Sequence, residues 1–455
     1  MTTKGFASIL IILVILSMGC ESDLVNQTNT TPEQNDNISF ALDREAAKNA
    51  FLASKETDTG PQTYDKILAE IALEVSGYGG HFFDEEGVLN VWLLDDQERN
   101  VAESVLRQYN EAGVLRIDEG HITDFRSRQG RYDFLQLYNW KTVLRHDVLA
   151  MEAVTLLDIN EAENNITIGI KNLGEKGQVL ERVQQIGFPD GAFKIIERNP
   201  ATYYTQQDPT THYIKNKRTT LAGGLRIQYV ANSNTYNCTL GPVAQRNGVK
   251  GFIVNSHCSE TRFSVDNEKY YQAKTSDRHI ATETVDPPAF FSILPCPPGR
   301  ICAYADAVFA EWKNRGTWNL GLIYETEYSG HVTGSTNRVG ANFNIVSDIN
   351  WPSMGTFTYK VGQRTGWTYG NVYETCADIP VGGSNITMLC QYTTDAGADH
   401  GDSGAPIFNP IPYPYPNVGL FGILWGGVQN SSPQITYFSP TPAIRDHLGG
   451  TINFQ

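Results

Sequence analysis

The 455-residue sequence has no excess of basic residues: 35 Lys and Arg stand against 50 Asp and Glu, for a formal net charge of -15. A chain without a basic face has nothing to offset phosphate repulsion, which excludes nucleic acid as a partner. It also lacks the CxxC and HExxH spacings of common metal sites, so a metal site is not expected. No solenoid period is visible. Cysteine is sparse, at seven residues. Setting aside Cys20, the remaining six are Cys238, Cys258, Cys296, Cys302, Cys376 and Cys390. An even number in an exported domain points to disulfides, and of the fifteen connectivities that six cysteines allow, pairing of sequence neighbours is expected.

Long apolar runs are missing except at the start, where Lys4 precedes Phe6 to Leu16. That run is too short to span a bilayer as a mature helix and reads as a secretory signal peptide, so export is expected. Leu16-Ser17-Met18-Gly19-Cys20 resembles a bacterial lipoprotein cleavage site, with Ser17 departing from the usual Leu. Cys20 is therefore a candidate lipidation site and membrane anchor. The expected organisation is a signal peptide over 1–20, a polar tether over 21–42 whose Glu21 to Asn37 is rich in Asn, Gln and Thr, an α+β region over 43–200, a linker over 201–220, and an all-β domain over 221–455.

In the α+β region, Ile67, Leu68, Ile71, Ala72 and Val75 fall on one helical face. Val88 to Leu94, Val154 to Ile159 and Ile166 to Ile170 read as strands, with Asn160 to Asn165 as a turn between the last two. Beyond Thr220, short apolar runs such as Leu225 to Val230, Gly251 to Val254, Ala307 to Phe309 and Gly419 to Leu424 alternate with turn residues. That rhythm predicts a β-barrel or sandwich.

Three segments there carry nucleophile chemistry. A serine hydroxyl needs a base to take its proton, and the base needs a carboxylate to orient it. Gly401-Asp402-Ser403-Gly404 places a serine between glycines, where the N–H groups of Gly401 and Ser403 can face a developing oxyanion. Gly251 to Cys258 is an apolar strand delivering His257 directly before a cysteine. Cys302 to Ala310 sets Asp306 among small and apolar residues, where a buried carboxylate requires a partner. Asp266 and Asp277 lie in polar stretches, and His400 is better suited to lining a cleft than to acting as the base.

In the order His257, Asp306, Ser403 these segments resemble the chymotrypsin family of serine endopeptidases, and are most similar to its bacterial branch of α-lytic protease and streptogrisin type. Ala222 to Ile227 resembles the mature start of that branch, and Val361 to Trp367 resembles its Gly-Arg-Thr-Thr-Gly element. The resemblance implies two packed six-stranded antiparallel β-barrels, preceded by an α+β pro-region that assists folding or blocks the cleft. It implies a cationic partner for Asp402, for which Arg364 is the candidate. The pocket is expected at Ala398, His400, Leu424, Trp425 and Gly426, with protein or peptide as substrate, and the acyl-transfer chemistry that the resemblance implies requires no metal or organic cofactor. Gly397 stands where trypsin-like relatives carry an acid, so cleavage after small or apolar residues is expected. Ala405 and Leu424 depart from the family pattern, which leaves an inactive protease-fold binding module as the alternative. An α/β-hydrolase would need its acid and histidine after Ser403, where only Asp446 and His447 remain.

Overall fold

The computed structural model describes residues 44–58, 60–189, 191–203, 213–291, 294–410, 414–428, 431–432 and 434–455. The segments expected to be a signal peptide and a tether, with Cys20 between them, lie outside these residues. No helix among the described residues is long and apolar enough to cross a membrane.

Helix formation in the N-terminal part follows its apolar spacing and caps. Tyr64–Glu74 starts at Thr63, whose hydroxyl accepts from Lys66 N, and buries Ile67, Leu68, Ile71 and Ala72. Phe134–Asp147 opens on a capping box between Asp133 and Gln136 and buries Leu137, Trp140 and Leu144. Helices Arg44–Thr57, Arg99–Glu111, Glu119–Thr123 and Lys176–Gln185 are the others described in this part. They cover two small sets of strands. Tyr78–Phe83, Leu89–Leu93 and Arg126–Gln129 form a three-stranded sheet. Val154–Asn160 and Asn165–Ile170 form the expected hairpin, and Phe193–Glu197 runs parallel to its second strand.

From Thr220 onward the chain is almost entirely β. Arg226–Ala231 and Asn234–Thr239 are joined through Asn232 and Ser233, both at positive φ, the conformation that matches hairpin twist. They begin an eight-stranded sheet that continues through Lys269–Gln272, Arg278–Val285, Val308–Trp312, Val249–Val254, Val243–Arg246 and Ile452–Asn453. The remaining strands form a larger sheet, and Gly366–Pro380 within it also pairs with Val154–Asn160, Asp378 opposite Leu157. Strand pairing thus does not delimit two six-stranded barrels, because the second sheet runs on into the N-terminal strands.

That continuity is backed by buried polar pairs between the two parts. Lys141 Nζ lies 2.8 Å from Asp65 Oδ2 and donates to Cys376 O. Arg145 pairs with Asp378 at 2.6 Å, and Arg198 with Glu374 at 2.5 Å. The described residues accordingly form one compact unit.

Residues 201–203, which composition assigns to the linker, are not free chain. Thr202–Tyr203 is a short strand on Asn417–Val428.

Candidate active site

Strand register brings the imidazole and the carboxylate together. Val254 pairs with Val308 at the end of an antiparallel ladder, so the chain just after Val254 meets the chain just before Val308. Ser256–Cys258 turns as one 3-10 step and presents His257. The Cys238–Cys258 disulfide ties that turn to the strand Asn234–Thr239. His257 Nδ1 lies 2.5 Å from Asp306 Oδ2, and the His257 backbone N–H donates to Asp306 Oδ1 at 3.1 Å. With a carboxylate accepting at Nδ1, the ring proton sits there and Nε2 keeps its lone pair. That lone pair faces Ser403, whose Oγ is 2.8 Å away. Burial holds the imidazole pKa below its ordinary value; Asp306 offsets this in part, and the nearby Arg262 charge lowers it further. The ring is therefore neutral at neutral pH, the state able to take a proton from the hydroxyl.

Asp306 is positioned from behind by two groups that the sequence did not single out. Asn255 Nδ2 donates to Asp306 O at 2.8 Å, and Asp306 N donates to Ser439 Oγ at 3.2 Å. Ser439 in turn donates to Gln391 Oε1, which also accepts from Trp425 Nε1. Ser439 reaches the aspartate from the strand Ile435–Pro440, leaving Leu424 free to join the apolar core.

The turn carrying Ser403 is held from both sheets. Thr239 N donates to Ser403 O at 2.7 Å, and Thr239 Oγ1 donates to Gly401 O at 2.9 Å. Gly401 sits at φ +102°, a region that favours glycine. Gly404 N bonds Leu424 O, and Leu424 N bonds Ala405 O, so Ala405 and Leu424 hold the turn through backbone atoms that any side chain leaves available.

Asp402 corrects the sequence expectation. Its buried cation is Lys360, with Nζ 3.1 Å from Asp402 Oδ2 and both side chains fully buried. Arg364 contributes its backbone N–H to Asp402 Oδ1 at 2.8 Å, while its guanidinium Nε bonds Asp399 at 3.2 Å. Thr365 Oγ1 at 2.6 Å and Asp399 N at 3.1 Å complete the ring of donors. The signal for Lys360 was available. In the strand Phe357–Gly362, period two puts Thr358, Lys360 and Gly362 on one face, and a Cβ on Gly362 would lie 2.2 Å from Asp402 Oδ1.

The expected pocket residues are only partly gathered. Trp425 is fully buried and stacked on Tyr437 at 5.2 Å between ring centroids, and Gly426 pairs with Tyr203. Leu424 turns its side chain into the core. Ala398 is half-buried, its carbonyl accepting from Gln434 Nε2, and His400 is half-buried beside Asp399, whose Oδ1 accepts from His400 N. Gly397 is packed against the backbone of Val332, where a Cβ would lie 2.0 Å from the Val332 carbonyl oxygen.

All six of the later cysteines are paired as neighbours: Cys238–Cys258, Cys296–Cys302 and Cys376–Cys390. Among the described residues, one grouping has metal-type donors, Cys238, His257 and Cys258. Its sulfurs are bonded to each other and its imidazole is engaged at both nitrogens, so it offers no thiolate.

No protein-family model matches this chain, and no curated protein matches it. Among solved structures it is similar to Thermobifida fusca protease A, at 18% identity over 52% of this chain and 100% of that one, with a TM-score of 0.37. A Nocardiopsis protease is similar at 17% identity, 52% and 99% coverage, and a TM-score of 0.37. Cellulomonas bogoriensis chymotrypsin is similar at 20% identity, 52% and 100% coverage, and a TM-score of 0.35. Its structural neighbours are chymotrypsin-like bacterial serine proteases.

Proposed function

We propose that the chain is an exported serine endopeptidase that hydrolyses peptide bonds through an acyl-enzyme on Ser403. The observation carrying this reading is the continuous hydrogen-bonded relay Asp306–His257–Ser403, 2.5 Å on one side of the imidazole and 2.8 Å on the other. His257 takes the Ser403 proton as Oγ attacks the carbonyl, and Asp306 stabilises the imidazolium that forms. The N–H groups of Gly401 and Ser403 receive the oxyanion. His257 then gives the proton to the leaving amine, and water repeats the sequence to release the acyl group. No cofactor takes part.

In this reading residues 221–455 are the protease domain of two barrels, and residues 43–200 are a pro-region. The strand Thr202–Tyr203, just after that region, lies on Gly426 and Gly427, which supports a blocking role for the segment that follows it. Substrates are cut after small or apolar residues, because Gly397 provides no pocket acid and Asp399 is paired with Arg364. Cys20 is the lipid anchor. The experiment is Ser403→Ala: peptide hydrolysis disappears while the circular dichroism spectrum stays that of the parent. Undiminished turnover by this variant removes the proposal.

A further inference from the structure

The turn that presents His257 is tied to a second line of acids. Ser256 Oγ donates to Asp286 Oδ2 at 2.8 Å, and the same carboxylate oxygen accepts from Ser264 N at 3.1 Å. Phe263 N in turn donates to Ser256 Oγ at 2.6 Å. Asp286 thus fastens the step Ser256–Cys258 to the loop that follows it. It comes directly after the strand Arg278–Val285, and from within that strand Glu283 brings a second carboxyl against it. Glu283 is fully buried and Asp286 is 3% exposed.

Glu283 Oε2 is engaged, accepting from Asp266 N at 3.1 Å and from Glu268 N at 3.3 Å. Glu283 Oε1 and Asp286 Oδ1 are each buried with no hydrogen-bond partner. Two adjacent carboxyls do not both ionise readily in a dry site, whereas one proton between these oxygens satisfies both. The other titratable groups facing the pair are acids as well. They are Asp266 and Glu268 on the loop, Tyr270 on the strand Lys269–Gln272, and Asp306 just before the strand Val308–Trp312. Arg262, the cation of the same loop, acts on His257. Burial holds both carboxyls above their ordinary range, and the neighbouring Asp266 adds to this for Glu283.

We infer that Glu283 and Asp286 share one proton, and that Asp286 is thereby a positioning residue for the general base, holding Ser256 and through it the His257 turn. Glu283, as the neutral acid, donates to Asp286, and Asp286, as the carboxylate, accepts from Ser256. When rising pH removes the shared proton, two like charges meet in a buried site and Asp286 releases the turn. The alkaline limit of the site belongs to this pair and not to His257, which burial already keeps neutral at lower pH. The bearing of the pair on catalysis rests on the serine-endopeptidase reading.

The test is the rate at which a small fluorophosphonate labels Ser403 of the full chain, followed from about pH 5 to about pH 10. The parent rate rises as His257 loses its proton and falls again as the pair loses its own. Glu283→Gln keeps a donor to Asp286 at every pH, so the fall moves up by more than about one pH unit while the rise stays in place. Asp286→Ala leaves Ser256 without its acceptor and slows labelling by about tenfold or more throughout. The proton resonance of His257 Nδ1–H is a second readout that needs no reactive serine. In the parent it shifts or broadens over the range of the fall, and in Glu283→Gln it does not. A Glu283→Gln profile that superimposes on the parent's, a resonance indifferent to that substitution, or an Asp286→Ala chain labelled at the parent rate overturns the inference. A resonance that follows the pair in a chain whose Ser403 takes no label upholds the anchor and instead defeats the endopeptidase reading.

Discussion

Lys360 and Asp402 form a fully buried ion pair directly before Ser403, Nζ to Oδ2 at 3.1 Å. Burial depresses the lysine pKa and Asp402 raises it back in part, so the charge on Lys360 depends on its partner. Removing one member strands the other charge in a dry interior, which costs about 3–5 kcal/mol. Lys360→Met is expected to lower the unfolding free energy by that amount, and Lys360→Met with Asp402→Asn is expected to recover much of it. Urea denaturation of both variants measures this. A single variant as stable as the parent would show that the pair does not anchor the turn.

Asp306 holds the imidazole through both carboxylate oxygens. Asp306→Asn keeps the shape but reverses which ring nitrogen carries the proton, and kcat on a peptide substrate is expected to fall by about 10⁴-fold. Thermal unfolding is expected to shift little by comparison. A loss under tenfold would mean that Asp306 does not set the tautomer.

At Gly426 two approaches share one surface. A methyl there clashes with Thr202 O, so Gly426→Ala is expected to expel the strand Thr202–Tyr203. Labelling of Ser403 by a small fluorophosphonate should accelerate, while peptide hydrolysis should fall because a substrate strand needs the same close approach. A parallel rise in both rates would separate the strand's position from the substrate's.

Glu161 lies fully buried at the seam, accepting from Thr375 Oγ1 at 2.5 Å, and burial pushes its pKa from 4.5 to about 8. Asp158 nearby is raised by burial and by Glu161. The folded chain keeps a proton that the unfolded chain has lost, so this contribution is full below about pH 4.5 and is lost as pH rises to about 8. Glu161→Gln should flatten the stability profile in that window by up to about 1.4 kcal/mol per pH unit. Urea midpoints at both ends of the window check it, and an unchanged slope would show that Glu161 is ionised in the fold.

Much of the site was legible because its parts are local. An apolar strand ending in Asn255-Ser256-His257-Cys258, an aspartate among alanines and a serine between glycines each announce their environment within a few residues. The hairpin Val154–Asn160 with Asn165–Ile170 was legible from alternation and a polar turn. What escaped is what depends on distant contacts. Helix Phe134–Asp147 buries residues on several sides, including Lys141 against Asp65, so it shows no clean apolar stripe. Arg364 looked like the partner of Asp402 because it sits in the matching motif, but its side chain points to Asp399 while Lys360 reaches from the facing strand. Residues 201–203 looked like linker because their strand partner lies more than two hundred positions away, at Gly426 and Gly427.

Activation of Ser403 by His257 is tested directly by mass-spectrometric mapping of fluorophosphonate adducts on the full chain, with and without Tyr203→Ala. The expected result is one adduct, on Ser403, that forms faster once Tyr203 is removed and is lost in His257→Ala. Absence of an adduct on Ser403 in both chains, or labelling that persists at the same rate without His257, would contradict it.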